Sequence, residues 1–235
     1  MRFRCAWLAG ALIAVFAYGG GAAAESDADL AKRLNKATQV LAEMASGKDA
    51  EIPADILARA RAVAVVPGVT KGAVIFGGRY GQGVVSVRRP AHDQWSTPAF
   101  FTIGGGSFGL QLGGQVVDLV LLVMTQRGVD SLLRSEFTLG GDATLAAGPK
   151  SLHEGADTDG RFKAEIFSYA RSTGFFAGVS FEGASVHPDG DAIRHLYGAA
   201  ADSREVLLGT KYAPPPVARP FVAALRKYAT PPKTR

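Results

Sequence analysis

The residues whose types and spacing could do chemistry cluster at Gly104-Gly105-Gly106-Ser107-Phe108-Gly109, which satisfies two patterns at once. As G-x-G-x-x-G it matches a dinucleotide loop, whose glycines let a helix N-terminus meet a pyrophosphate. That chemistry needs a strand before the loop and a helix after it. The chain continues Leu110-Gln111-Leu112-Gly113-Gly114, a poor helix start, so the glycines read as a β-turn or barrel corner. As G-x-S-x-G, residues 105–109 would carry Ser107 on a nucleophile elbow. Asp118, Asp130 or Asp142, then His153, His187 or His195, follow in hydrolase order. An elbow also needs a helix directly after its serine, so a serine hydrolase using Ser107 ranks third among the functional readings. The four histidines, His92, His153, His187 and His195, lack metal-ligand spacing, and Asp157 with Asp159 lacks the spaced donors of a calcium loop. No catalytic residue, metal or cofactor is expected.

The elements that must position any site alternate between helix and strand periodicities. Ser26 is placed to cap a helix in which Leu30, Leu34, Ala37, Leu41 and Met44 share one face. Lys32, Arg33 and Lys36 lie off that face, and Gly47 ends the helix. Pro53 suits the first turn of a second helix reaching about Ala60. Strand-like runs follow at 62–66, closed by a Pro67-Gly68 turn signal, and at 72–77, 83–88, 99–103, 108–112 and 116–124. A short helix is expected from Gly128 to Phe137, Asp142–Ala147 leads into a Gly148-Pro149 stop, and a loop is expected at 153–160. Residues 162–170 alternate as a strand, with 174–186 as its antiparallel partner. Short helices at 192–197 and 203–208 precede a proline link and a last helix, 217–228, on which Phe221, Leu225 and Tyr228 share a face. The fold class is α+β: a strongly curved, Gly-rich antiparallel β-sheet or partial barrel with N-terminal and C-terminal helices packed against it.

The first 24 residues read as a secretory signal peptide. Arg2 and Arg4 precede an uncharged stretch from Trp7 to Tyr18, and Ala22-Ala23-Ala24 supplies small residues for cleavage before Glu25. The apolar run is too short to span about 30 Å of hydrocarbon. Cleavage would remove Cys5, the single cysteine, and with it disulfide and thiolate chemistry. The mature chain, 25–235, then reads as one domain, periplasmic or secreted. The formal charge of +5 becomes +3 once Arg2 and Arg4 leave, mildly basic and far from a nucleic-acid binder, yet compatible with an anionic membrane surface.

The order of several peculiar segments carries a family resemblance. Ala60-Arg61-Ala62-Val63-Ala64-Val65-Val66-Pro67 is followed by Gly77-Gly78-Arg79-Tyr80-Gly81-Gln82-Gly83-Val84-Val85. Trp95-Ser96-Thr97-Pro98-Ala99-Phe100 leads into Gly106–Gly113, then Asp118, then Leu139-Gly140-Gly141-Asp142. Residues 167–183, from Phe167-Ser168-Tyr169-Ala170-Arg171-Ser172 to Phe181-Glu182-Gly183, come close to a signature. In this order the chain resembles the SYLF family of lipid-binding domains over roughly residues 30–228.

That resemblance implies a non-catalytic lipid-binding protein. Its ligands are phosphoinositides in eukaryotic members, some of which also bind actin. For an exported chain the transferable part is an anionic phospholipid or membrane surface. In eukaryotic relatives an N-terminal amphipathic basic helix aids attachment, a role that would fall here to Lys32, Arg33 and Lys36. The same helix carries Asp27, Asp29 and Glu43, and its apolar face either packs on the sheet or enters the membrane; both readings stand open. Lys71, Arg79, Arg88 and Arg89 form a second basic set near strand ends, with ordinary solvated edge charge as the alternative. An envelope scaffold that contacts another protein is the runner-up function.

Overall fold

The computed structural model describes residues 25–46, 50–73, 77–89, 94–107, 115–149, 164–172, 175–176 and 181–229. Helix α1 (Asp27–Ala45) starts at a reciprocal cap: Ser26 Oγ accepts the Asp29 N–H at 3.2 Å, and the Asp29 carboxylate accepts the Ser26 N–H. Its buried residues include Leu30, Leu34, Ala37, Leu41 and Met44, the predicted stripe. That stripe packs on the sheet and on the last helix, so among the described residues the apolar face of α1 is core. Helix α2 (Ala54–Arg59) follows Pro53 as expected.

Among the described residues ten strands follow: β1 (Ala62–Ala73), β2 (Gly77–Arg89), β3 (Gln94–Trp95), β4 (Ala99–Ser107), β5 (Gln115–Val123), β6 (Phe137–Thr138), β7 (Leu145–Ala147), β8 (Ile166–Ser172), β9 (Phe175–Phe176) and β10 (Ser185–Pro188). Eight form one strongly curled half-barrel in the order β6-β10-β4-β2-β1-β5-β8-β7, with β3 beside β2 and β9 beside β8. The pairings are antiparallel except β7 with β8, which is parallel. Helix α3 (Gln126–Leu132) follows β5, with the Thr125 hydroxyl accepting the Gly128 N–H. After β10 come α4 (Gly190–Tyr197), α5 (Ser203–Leu208) and a 3-10 turn (Pro216–Ala218) that runs into α6 (Arg219–Tyr228).

Residues 62–66 of β1, 83–87 of β2 and 119–123 of β5 are buried at every position. Such strands are covered on both faces and therefore read as continuous apolar runs rather than alternation. Helix α1 lies on β1 and β2, α5 on β2 and β4, α4 on β4, and α6 against α1, α2 and β3.

Three local expectations are corrected. Pro67-Gly68 does not turn the chain; β1 continues to Ala73 through a register irregularity there. Gly68 holds φ at 63°, and its N–H donates to Asp118 Oδ1 at 2.9 Å, so the turn signal is used as a bulge. Residues 104–107 are likewise no turn but the end of β4, paired with β2. The segment 174–186 does not form one partner for β8: β9 pairs with β8, whereas β10 pairs with β4 and β6. Between them Gly183, at φ 73°, lets the chain change direction. The expectations for Gly47, 108–112 and 153–160 lie outside the described residues.

Candidate functional site

The far ends of the central strands leave a polar groove against α1. Beyond the bulge, Thr70 of β1 sits opposite Tyr80 of β2 and Val116 of β5. Residues directly opposite share a face of the sheet. All three are exposed, Tyr80 at 57% and Val116 at 56%, in contrast to the sealed stretch a few residues back along the same strands. Helix α1 supplies the other wall. The groove holds about 450 Å³ and is lined by Glu25, Asp29, Lys32 and Lys36 on the helical side and by Pro67, Gly68, Thr70, Tyr80 and Gln82 on the sheet side.

Lys32 and Lys36 are one helical turn apart and both exposed. Asp29 stands one turn before Lys32; the hydroxyl and N–H of Ser26 hold its carboxyl below the ordinary value. Glu25 is pulled two ways, with burial lifting its carboxyl and Arg33 opposing the lift. Arg171 braces the far end of α1 to the sheet by pairing with Glu43 at 2.5 Å and Asp118 at 3.4 Å.

Of the predicted basic residues, Lys32 and Lys36 share the groove, and Arg79, Arg88 and Arg89 do not line it. Arg33 is a correction: it belongs to the interior, 6% exposed. Its guanidinium donates to the carbonyls of Gly83 (2.8 Å) and Phe101, pairs with Asp189 at 2.7 Å and Glu25 at 3.2 Å, and lies over the Phe100 ring. One arginine thus ties α1 to β2, β4 and the N-cap of α4. The approach is tight: a Cβ on Gly83 would stand 2.6 Å from the Phe101 ring and 2.7 Å from the Val65 carbonyl.

Arg79 points away from the groove, because neighbouring side chains alternate across a strand and Tyr80 faces it. Arg79 is half-buried beside the Phe181 ring at 5.8 Å, and burial lowers its pKa below the ordinary value. Lys71 is its cross-strand partner in register. Arg88 and Arg89 sit nine and ten residues further along β2, about 30 Å away at strand rise. Arg88 donates to the carbonyls of Ala58 and Ala60 at 3.0 Å and of Ala229, stacked over Trp95 at 4.6 Å. Arg89 donates to the Gly209 carbonyl at 2.5 Å. Those carbonyls lie at the C-terminal ends of α2, α6 and α5, where positive charge satisfies orphan acceptors and opposes the helix dipole.

For the Ser107 reading, residues 104–107 are paired strand, and the helix an elbow requires would fall on 108–114, outside the described residues. Asp118 is engaged by Gly68 and Arg171, and Asp142 accepts the Thr138 N–H and pairs with Arg134. Among the described residues no three His, Cys, Asp or Glu side chains gather as metal donors, and no helix is long and apolar enough to cross a membrane.

Glu25, Asp29, Thr70, Tyr80 and Gln82 were not singled out from sequence. Tyr80 had a signal: an aromatic residue set among the glycines of 77–83.

The described residues thus form a curled α+β half-barrel with a polar groove between α1 and the open ends of its central strands. Residues 104–228 match a family model described as "Ysc84: Las17-binding protein actin regulator". The chain is 34% identical over 210 residues to LAS seventeen-binding protein 3 of Saccharomyces cerevisiae, covering 85% of this chain and 45% of that protein. It is 32% identical over 187 residues to the human SH3 domain-containing YSC84-like protein 1, covering 77% and 54% respectively. The chain belongs to this Ysc84, or SYLF, family. It spans about half the length of the curated relatives it matches.

Proposed function

We propose that the chain is a non-catalytic binding module of the cell envelope that docks on an anionic phospholipid surface through the open end of its half-barrel. The observation that carries the reading is the groove, where exposed Lys32 and Lys36 line one wall and exposed Tyr80 the other, with exposed Val116 opposite Thr70 on the same face of the sheet. Lysines contact lipid phosphates, tyrosine favours the headgroup layer, and a lone aliphatic side chain enters the upper acyl region. Export after cleavage at Ala24 belongs to the same reading and is supported by the basic start, the short apolar run and the alanine triplet.

Liposome co-sedimentation tests the docking. Anionic vesicles should pellet the processed chain more than phosphatidylcholine vesicles do, and added salt should release it. Equal pelleting with both removes the electrostatic component, and no pelleting with either removes the function. N-terminal sequencing of the chain from a cell-envelope fraction tests export: a start at Glu25 is expected, and retention of Met1 overturns it.

A second reading is a protein-interaction scaffold. It is favoured by the names of the relatives, one a Las17-binding protein and another an SH3 domain-containing protein. Binding to a purified envelope partner that persists after lipid extraction would favour it over the first.

A further inference from the structure

We infer that the groove seats a headgroup carrying both a phosphodiester and a primary ammonium, that is, phosphoethanolamine, as one lipid of the surface on which the chain docks; this rests on the phospholipid-surface reading above. The argument is charge balance. A pocket for an anion alone gains from cations and loses from every nearby carboxylate. This one is lined by two exposed lysines, Lys32 and Lys36, and by Asp29 at the same helix end, with Glu25 paired to Arg33. The third cation at the groove, Arg33, is committed to Gly83, Phe101, Asp189 and Glu25.

The charges are also segregated along α1. The acids lie at its start and the lysines one and two turns further on, with successive positions about 5–6 Å apart between Cβ atoms. That separation resembles the one between phosphate and ammonium in phosphoethanolamine. Phosphate is placed beside Lys32 and Lys36, and ammonium beside Asp29. Asp29 is exposed and held in its ionised form, and its bonds from Ser26 all fall on Oδ2, leaving Oδ1 without a partner among the described residues. Tyr80, an exposed aromatic residue, lines the sheet side of the same groove. A primary ammonium fits better than a quaternary one. Carboxylates reward N–H donors with charge-assisted bonds, whereas a single tyrosine is no aromatic enclosure for choline.

Co-sedimentation of the purified chain with three vesicle types tests the inference: phosphatidylcholine alone, and the same lipid doped with phosphatidylethanolamine or with phosphatidylglycerol. Ethanolamine lipid should raise binding over phosphatidylcholine although neither adds net charge. Asp29→Asn should reduce the ethanolamine-dependent binding by about tenfold, the loss of one charge-assisted contact, while leaving glycerol-lipid binding equal or stronger. Lys32→Gln should weaken both. If ethanolamine lipid adds nothing while glycerol lipid pellets the chain, the inference falls and the surface reading stands. If no vesicle pellets the chain, both fall. Because Asp29 also caps α1, the unmodified chain provides an arm free of folding effects. Titration with soluble glycerophosphoethanolamine should shift the NMR signals of Asp29, Lys32 and Tyr80 more than glycerophosphocholine does, and equal or absent shifts overturn the inference.

Discussion

The two halves of the central strands are built from the same chain and behave oppositely. Before the bulge, residues 62–66, 83–87 and 119–123 are sealed on both faces; beyond it, Thr70, Tyr80 and Val116 face solvent. Arginine marks the difference. In the sealed half, Arg33 and Arg88 give their donors to backbone carbonyls and knit elements together. At the open end, the groove's exposed cations are lysines on a helix surface. A planar fork of donors suits fixed internal acceptors, whereas a flexible ammonium suits a mobile headgroup. Basic residues of one sequence therefore divide into structural and functional sets according to what lies within reach.

The sharpest way to break this division is Arg33→Met. Removing one partner of a buried charge cluster leaves Asp189 uncompensated, so a stability loss of about 3–5 kcal/mol is expected in urea denaturation. An unchanged midpoint would put Arg33 back with the surface set. Arg88→Met should cost about 2 kcal/mol by orphaning helix-end carbonyls, with no change in vesicle affinity beyond that from unfolding. Gly68→Ala should lose about 1 kcal/mol, since φ 63° strains any side chain while its Cβ would meet Val116 at an ordinary 3.6 Å. If thermal melting shows no loss, the bulge is more pliable than its fixed bond to Asp118 implies. Lys32→Gln with Lys36→Gln should leave the denaturation midpoint within about 0.5 kcal/mol of the parent yet weaken vesicle binding. A stability loss there would erase the contrast between the halves.

The smallest effect concerns Glu43. Hydrogen bonds from Gln39 and Arg171 hold its carboxyl below the ordinary range. A depressed folded pKa gives stability that is present above the unfolded value and is lost as pH falls through the folded one. Glu43→Gln should remove about 0.5 kcal/mol at neutral pH and nothing in strong acid. A pH-independent difference would deny the ion pair its role.

Much of this architecture was legible because it rests on local patterning. The stripe Leu30, Leu34, Ala37, Leu41 and Met44 announced α1, and Ser26 announced its cap. The curled sheet followed from short β runs broken by glycine. What was not legible depended on distant partners. Arg33 looks like a surface charge until Gly83, fifty residues away, brings a bare carbonyl beneath it. Pro67-Gly68 looks like a turn until Asp118 offers an acceptor that holds the strand straight through. Residues 174–186 look like one strand until β4 and β6 claim the second half. For the groove, Lys32 and Lys36 could be named from the family resemblance, but their pairing with Tyr80 needed the register of β1 with β2.

Helix α1 packs against α6, so the earliest described helix is finished by the last. During synthesis, the apolar face of α1 therefore lacks part of its cover until residues beyond 219 exist. Contacts that close over so long a span of chain slow folding. The interior of the domain is closed only when both of these helices are in place.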